Sequence, residues 1–90
     1  MTKKIAVLVR DRQEEALRMA LGLTLADDAI DVFVLGGKLE ETDANTQNLE
    51  LFGDMGVGVY SDCRENGDME FLSSDEIANR LIQYDHVLPY

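Results

Sequence analysis

The stretch Ile30-Asp31-Val32-Phe33-Val34-Leu35-Gly36-Gly37, IDVFVLGG, decides the fold class. Ile30 to Leu35 is almost continuously apolar and rich in β-branched and aromatic side chains, the pattern of a strand buried on both faces. The paired glycines close it. Upstream, Ile5 to Val9 (IAVLV) has the same character. Between the two lies a helical segment from Glu14 to about Ala26, with Asp11 as N-cap and Glu14 as its capping-box partner. Leu17, Ala20, Leu21 and Thr24 fall on one stripe, and Met19, Leu23 and Leu25 widen it. A helix this greasy is covered on more than one side, here by the sheet and by a neighbouring subunit. Two buried strands joined by a helix make a right-handed βαβ unit, so the sheet is mainly parallel.

Downstream the alternation continues. Glu40 to Met55 is weakly helical: Leu49, Phe52 and Met55 recur at helical spacing, and Gly56 supplies a left-handed stop. The front half, Glu41 to Asn48, is polar enough to read as loop. Val57 to Tyr60 is a third strand and Met69 to Leu72 a short fourth. Ser73-Ser74-Asp75-Glu76 is a capping box, with Ser73 as N-cap and Glu76 reaching back. The helix it opens carries Ile77, Ala78, Leu81 and Ile82. His86 to Tyr90 is a last strand, placed at an edge or strand end by Pro89.

Ninety residues make one domain, and 46% hydrophobic content is ample for its core. A chain this small gains burial by association with further copies. The net charge of −10, from 18 acidic and 8 basic residues, repels phosphate backbones and anionic lipid, against nucleic-acid or membrane binding. The single cysteine forms no internal disulfide and suits a reducing cytoplasm. No window has the roughly 20 apolar residues of a membrane span, and the opening segment lacks a signal peptide's long apolar region.

Sites in parallel sheets lie at the carboxyl ends of strands. That selects Arg10 to Arg12, Gly36 to Lys38 and Ser61 to Arg64. Arg10 and Arg12 place two guanidinium groups beside a helix N-terminus, a setting for anions, or else they are solvated partners of Glu14 and Glu15. Gly36-Gly37-Lys38 lacks the earlier glycine and following hydroxyl of a P-loop, and reads as a strand-ending turn. The lone His86 has no ligating companions, so neither a metal nor a cofactor is expected. Cys63 sits beyond the third strand, with Arg64 beside it to lower a thiol pKa and Asp62 and Glu65 to raise it.

Taken together, KKIAVLVR (residues 3–10), IDVFVLGG, MGVGVYSDC (55–63) and SSDEIANRLIQYDHVLPY (73–90) resemble, nearly end to end, the DsrE/DsrF/DsrH-like family of sulfur relay and intracellular sulfur oxidation. The resemblance implies a three-layer α/β/α sandwich on a mainly parallel sheet of four to five strands, and homo- or hetero-oligomers. It also implies a cysteine after the third strand that carries persulfide sulfur. Only Cys63 could take that role, with a sulfur donor or acceptor protein as partner and Arg10 or Arg12 stabilising the anion. The chain departs from the family after the cysteine, where a helix and an Arg-Gly segment are usual. Only Arg64 to Asp68 separates Cys63 from Met69, so that helix is shortened or missing, and an ungapped reading puts the family cysteine on Asp62. Two expectations follow for this small cytoplasmic protein. Either Cys63 carries sulfur, with Arg10, Arg12, Gly36, Gly37 and Arg64 binding an anion or partner, or the chain is a non-catalytic binding or scaffold subunit of the same fold.

Overall fold

A computed structural model describes residues 4–24, 29–37, 39–40, 42–67 and 69–89. The sheet has five strands, all parallel, in the order β4-β3-β2-β1-β5. β1 (Lys4–Val9) leads through α1 (Gln13–Thr24) to β2 (Ala29–Val34), and α2 (Asp43–Met55) leads on to β3 (Gly58–Ser61). β4 (Glu70–Phe71) follows β3 with no helix between them; α3 (Ser74–Leu81) then connects to β5 (His86–Pro89).

The period-2 alternation of the buried strands divides the core between two faces. Ile5, Val7, Val9, Ile30, Val32 and Val34 point to one side and pack with Ala16, Leu17 and Ala20 of α1 and Phe52 of α2. Ala6, Leu8 and Phe33 point to the other, with Leu72 and Ile77. The result is an α/β/α sandwich on a parallel sheet, the fold class expected. Its asymmetry follows from handedness. The chain steps outward from β1 to β4, so its right-handed crossovers put α1 and α2 on one face. The return from β4 to β5 runs the opposite way, and right-handedness then puts α3 on the other face.

Several local expectations hold. Gly56 takes a left-handed φ of 74° after α2. Ser73 and Glu76 form both halves of the capping box. β5 lies at a sheet edge with Pro89 opposite Leu8, where a missing N–H costs least.

Others are corrected. α1 starts at Gln13, so Asp11 lies two residues ahead of the helix and is not its N-cap; the expected helix end near Ala26, and Leu25, fall outside the described residues. α2 packs beside α1 on the same face of the sheet. Of the stretch Glu41 to Asn48 expected as loop, residues 43–48 belong to α2; Glu41 lies outside the described residues. Thr42 caps α2, accepting from the Asn45 N–H at 3.1 Å. As expected of a mainly parallel sheet that lacks the helix after the third strand, β4 pairs parallel with β3, Tyr60 opposite Glu70, through a connection (62–69) too short for a crossover helix.

At the amino end of the sheet a polar cluster ties the layers together. The Asp31 carboxylate accepts from the Gly58 N–H at 3.3 Å and from the Tyr84 hydroxyl. Tyr60 and Tyr84 both pack on Phe33. A Cβ at Gly58 would lie 2.7 Å from Asp31 Oδ1 and 2.8 Å from the Tyr60 hydroxyl, so only glycine fits without displacement.

Candidate functional site

The three carboxyl-end segments are neighbours, because β3, β2 and β1 lie side by side. Each ends differently. After β2 the chain turns through Gly36 and Gly37, at φ 82° and 150°, a backbone path that favours glycine. The Gly36 N–H donates to Asp62 Oδ1 at 3.2 Å. The glycine turn therefore already holds an anionic group, and that group belongs to the chain.

Asn66 joins the turns after β2 and β3. It is 7% exposed. Its Oδ1 accepts from the Leu39 N–H at 2.9 Å, and its Nδ2 donates to the Gly37 carbonyl at 3.2 Å and to Ser61 Oγ at 2.8 Å. Ser61, fully buried, also accepts from the Cys63 N–H at 3.0 Å. The segment 62–67 is thus a tight loop pinned onto β2 and β3, occupying the place of a crossover helix. Sequence patterning marks Asn66-Gly67 only as a turn, and the buried strap is invisible in it.

Cys63 is partly exposed on this loop. No helix begins at it; a turn follows instead, closed by the Asn66 N–H on the Cys63 carbonyl at 3.2 Å. The Arg64 guanidinium lies 4.3 Å from the centroid of the Phe71 ring. Arg10 and Arg12 follow β1, and β2 separates β1 from β3. Two strand spacings of roughly 4.8 Å keep these backbones about 10 Å apart. β1 and β3 are thus not neighbouring strands, and Arg10 and Arg12 leave the sheet two strands away from Cys63.

Arg10 and Arg12 instead border a basin of about 520 Å³ at the start of α1, shared with Asp11, Glu14, Glu15 and Glu40. Arg12 pairs with Glu15 at 3.9 Å, and Glu14 with Arg18 at 3.4 Å. Four carboxylates against two guanidinium groups make the basin net acidic, which disfavours an anion. Lys38 lies outside the described residues.

The larger hollow lies beside α2, where a helix between β3 and β4 would pack. It measures about 540 Å³, within the range of small-molecule sites. Leu39, Leu49, Val57, Val59 and Met69 supply its apolar surface, and Glu40, Glu50 and Glu65 its rim. Asn45 stands in its wall, 2% exposed. The Asn45 Nδ2 donates to the Glu40 carbonyl at 2.9 Å, which fixes the amide orientation, while Oδ1 is buried with no hydrogen-bond partner among the described residues. An orphaned buried acceptor is uncommon in a folded protein. Neither Asn45 nor the hollow had a sequence signal beyond the short β3–β4 connection.

Among the described residues no helix is long and apolar enough to cross a membrane, and no group of three His, Cys, Asp or Glu side chains is placed to hold a metal ion. Comparison with known families, curated proteins and solved structures finds no match to this chain.

Proposed function

We propose that this chain is a small binding subunit on an α/β/α frame, with no sulfur chemistry of its own. The observation that carries the proposal is the loop after β3. A persulfide carrier must hold a thiolate and then a terminal persulfide anion, and both need cations or free amide donors. Here the turn after Cys63 opens no helix, Arg64 lies over Phe71, and the Gly36 amide is taken by Asp62. The same loop leaves an open groove beside α2. The molecule therefore offers a built concavity and a thiol without an anion-stabilising setting, which favours binding over sulfur transfer.

The test is direct. The protein and a Cys63→Ser variant are incubated with glutathione persulfide, and their intact masses are read. The expected result is no sulfur retained on either. A stoichiometric sulfur adduct on the wild-type chain, absent from the variant and transferable to an acceptor thiol, overturns the proposal and restores the carrier role for Cys63.

Self-association belongs to the same proposal. Ile82 is 81% exposed at the end of α3, and Val87 is exposed on the edge strand β5. Multi-angle light scattering in high salt, where the −10 charge is screened, should show a homo-oligomer. A monomer at high concentration refutes that part.

A further inference from the structure

We propose that the groove between α2 and β3 takes a small cationic amphiphile, an aliphatic primary amine in its protonated form. This deepens the binding proposal above and rests on it. The alkyl chain would lie on Leu49, Val57, Val59 and Met69, each only partly covered by the protein itself. The ammonium would sit among Glu40, Glu50 and Glu65, all exposed at the rim.

Two observations point to this chemistry. First, the hollow is a product of the fold. Parallel sheets are normally covered on both faces, and the missing β3–β4 helix leaves β3 uncovered next to α2. Second, the lining is one-sided in charge, with three carboxylates and no arginine or lysine among the described residues. An ammonium brings three N–H donors and no acceptor, the complement of a rim of carboxylates. A carboxylate ligand would meet repulsion at the rim. A neutral hydrocarbon would leave the rim carboxylates unanswered. A second copy of the chain would bring a further net charge of −10 against the same rim.

The experiment is a ¹⁵N–¹H correlation titration with n-hexylammonium, alongside hexanoate as the oppositely charged probe of equal length. Hexylammonium should move the amides of Leu49, Gly53, Val57, Val59 and Met69 in a saturable way, and hexanoate should bind at least several-fold more weakly. A triple variant, Glu40→Gln, Glu50→Gln and Glu65→Gln, changes exposed positions only. It should weaken hexylammonium roughly tenfold at low salt, from three modest surface attractions. Equal binding of the two probes, shifts at other amides, or no shifts at millimolar probe overturn the inference. The two proposals fail separately. Sulfur on Cys63 overturns the binding role whatever the groove does, whereas a silent Cys63 with an unresponsive groove overturns only the amine site.

Discussion

Replacing Asn66 with alanine should cost this protein a large part of its stability, although Asn66 lies in a loop. Its side chain serves three partners: the Leu39 N–H, the Gly37 carbonyl and Ser61 Oγ. Leu39 is 5% exposed and Ser61 is fully buried, so bulk water cannot freely replace the lost contacts. Each hydrogen bond contributes about 1 kcal/mol net, and a stranded buried amide costs more than the mean. The sum is about 3 kcal/mol, out of a total of roughly 5–15 kcal/mol for a domain. For a chain of this size that lowers Tm by roughly 12–24 °C. Urea unfolding followed by far-ultraviolet circular dichroism measures it directly: the midpoint should fall while the slope stays the same. Asn66→Asp is the informative companion. It keeps an acceptor for the Leu39 N–H but loses both donors and turns an oxygen toward the Gly37 carbonyl, so it should lose at least as much as alanine. A loss below about 1 kcal/mol for Asn66→Ala would mean that the backbone alone holds the loop, and the account of the pinned β3–β4 connection would be wrong.

Gly58→Ala puts a methyl group 2.7 Å from Asp31 Oδ1 and should destabilise by about 1–3 kcal/mol, read from the thermal midpoint. Thr42→Ala removes the α2 cap and should cost about 1 kcal/mol in urea unfolding. Burial, and then the hydrogen bond to Asp31, raise the Tyr84 phenol well above its ordinary pKa. A raised folded-state value favours the neutral phenol in the native protein. Its stabilisation is fully present below about pH 10, the unfolded phenol's value, and declines as pH rises beyond it. Tyr84→Phe should flatten that alkaline decline in a pH series of unfolding midpoints, and an unchanged slope would refute the assignment.

The central strands were legible because burial on two faces leaves a continuous apolar run, in Ile5 to Val9 and Ile30 to Leu35 alike. Gly56 and the Ser73–Glu76 box were legible because their chemistry is local. The front of α2 was not. Thr46 and Gln47 face water and erase the periodicity, and the helix is specified by its Thr42 cap and by burial of Asn45 and Phe52. The short connection that brings β4 back parallel to β3 has no local signal for a different reason. It depends on Asn66 reaching Leu39 and Gly37, 27 and 29 residues away, and no window of sequence encodes such a partner. The site shows the same division. A lone cysteine draws the eye as a residue type, but the features that define the groove are an absent helix and two asparagines, which read as ordinary turn residues until their surroundings are known.

The placement of β5 has a consequence for synthesis. β1 pairs with β2 on one side and with β5 on the other, and Asp85 clamps the junction through the Lys4 carbonyl and N–H at 2.7 and 2.8 Å. Until His86–Pro89 has left the ribosome, Ile5 to Val9 presents an apolar strand with one open edge, the template on which chains pair wrongly with each other. The nascent chain must hold this apolar strand half-paired until residues 86–89 have been made, so the acidity that keeps chains apart matters most before that edge is closed.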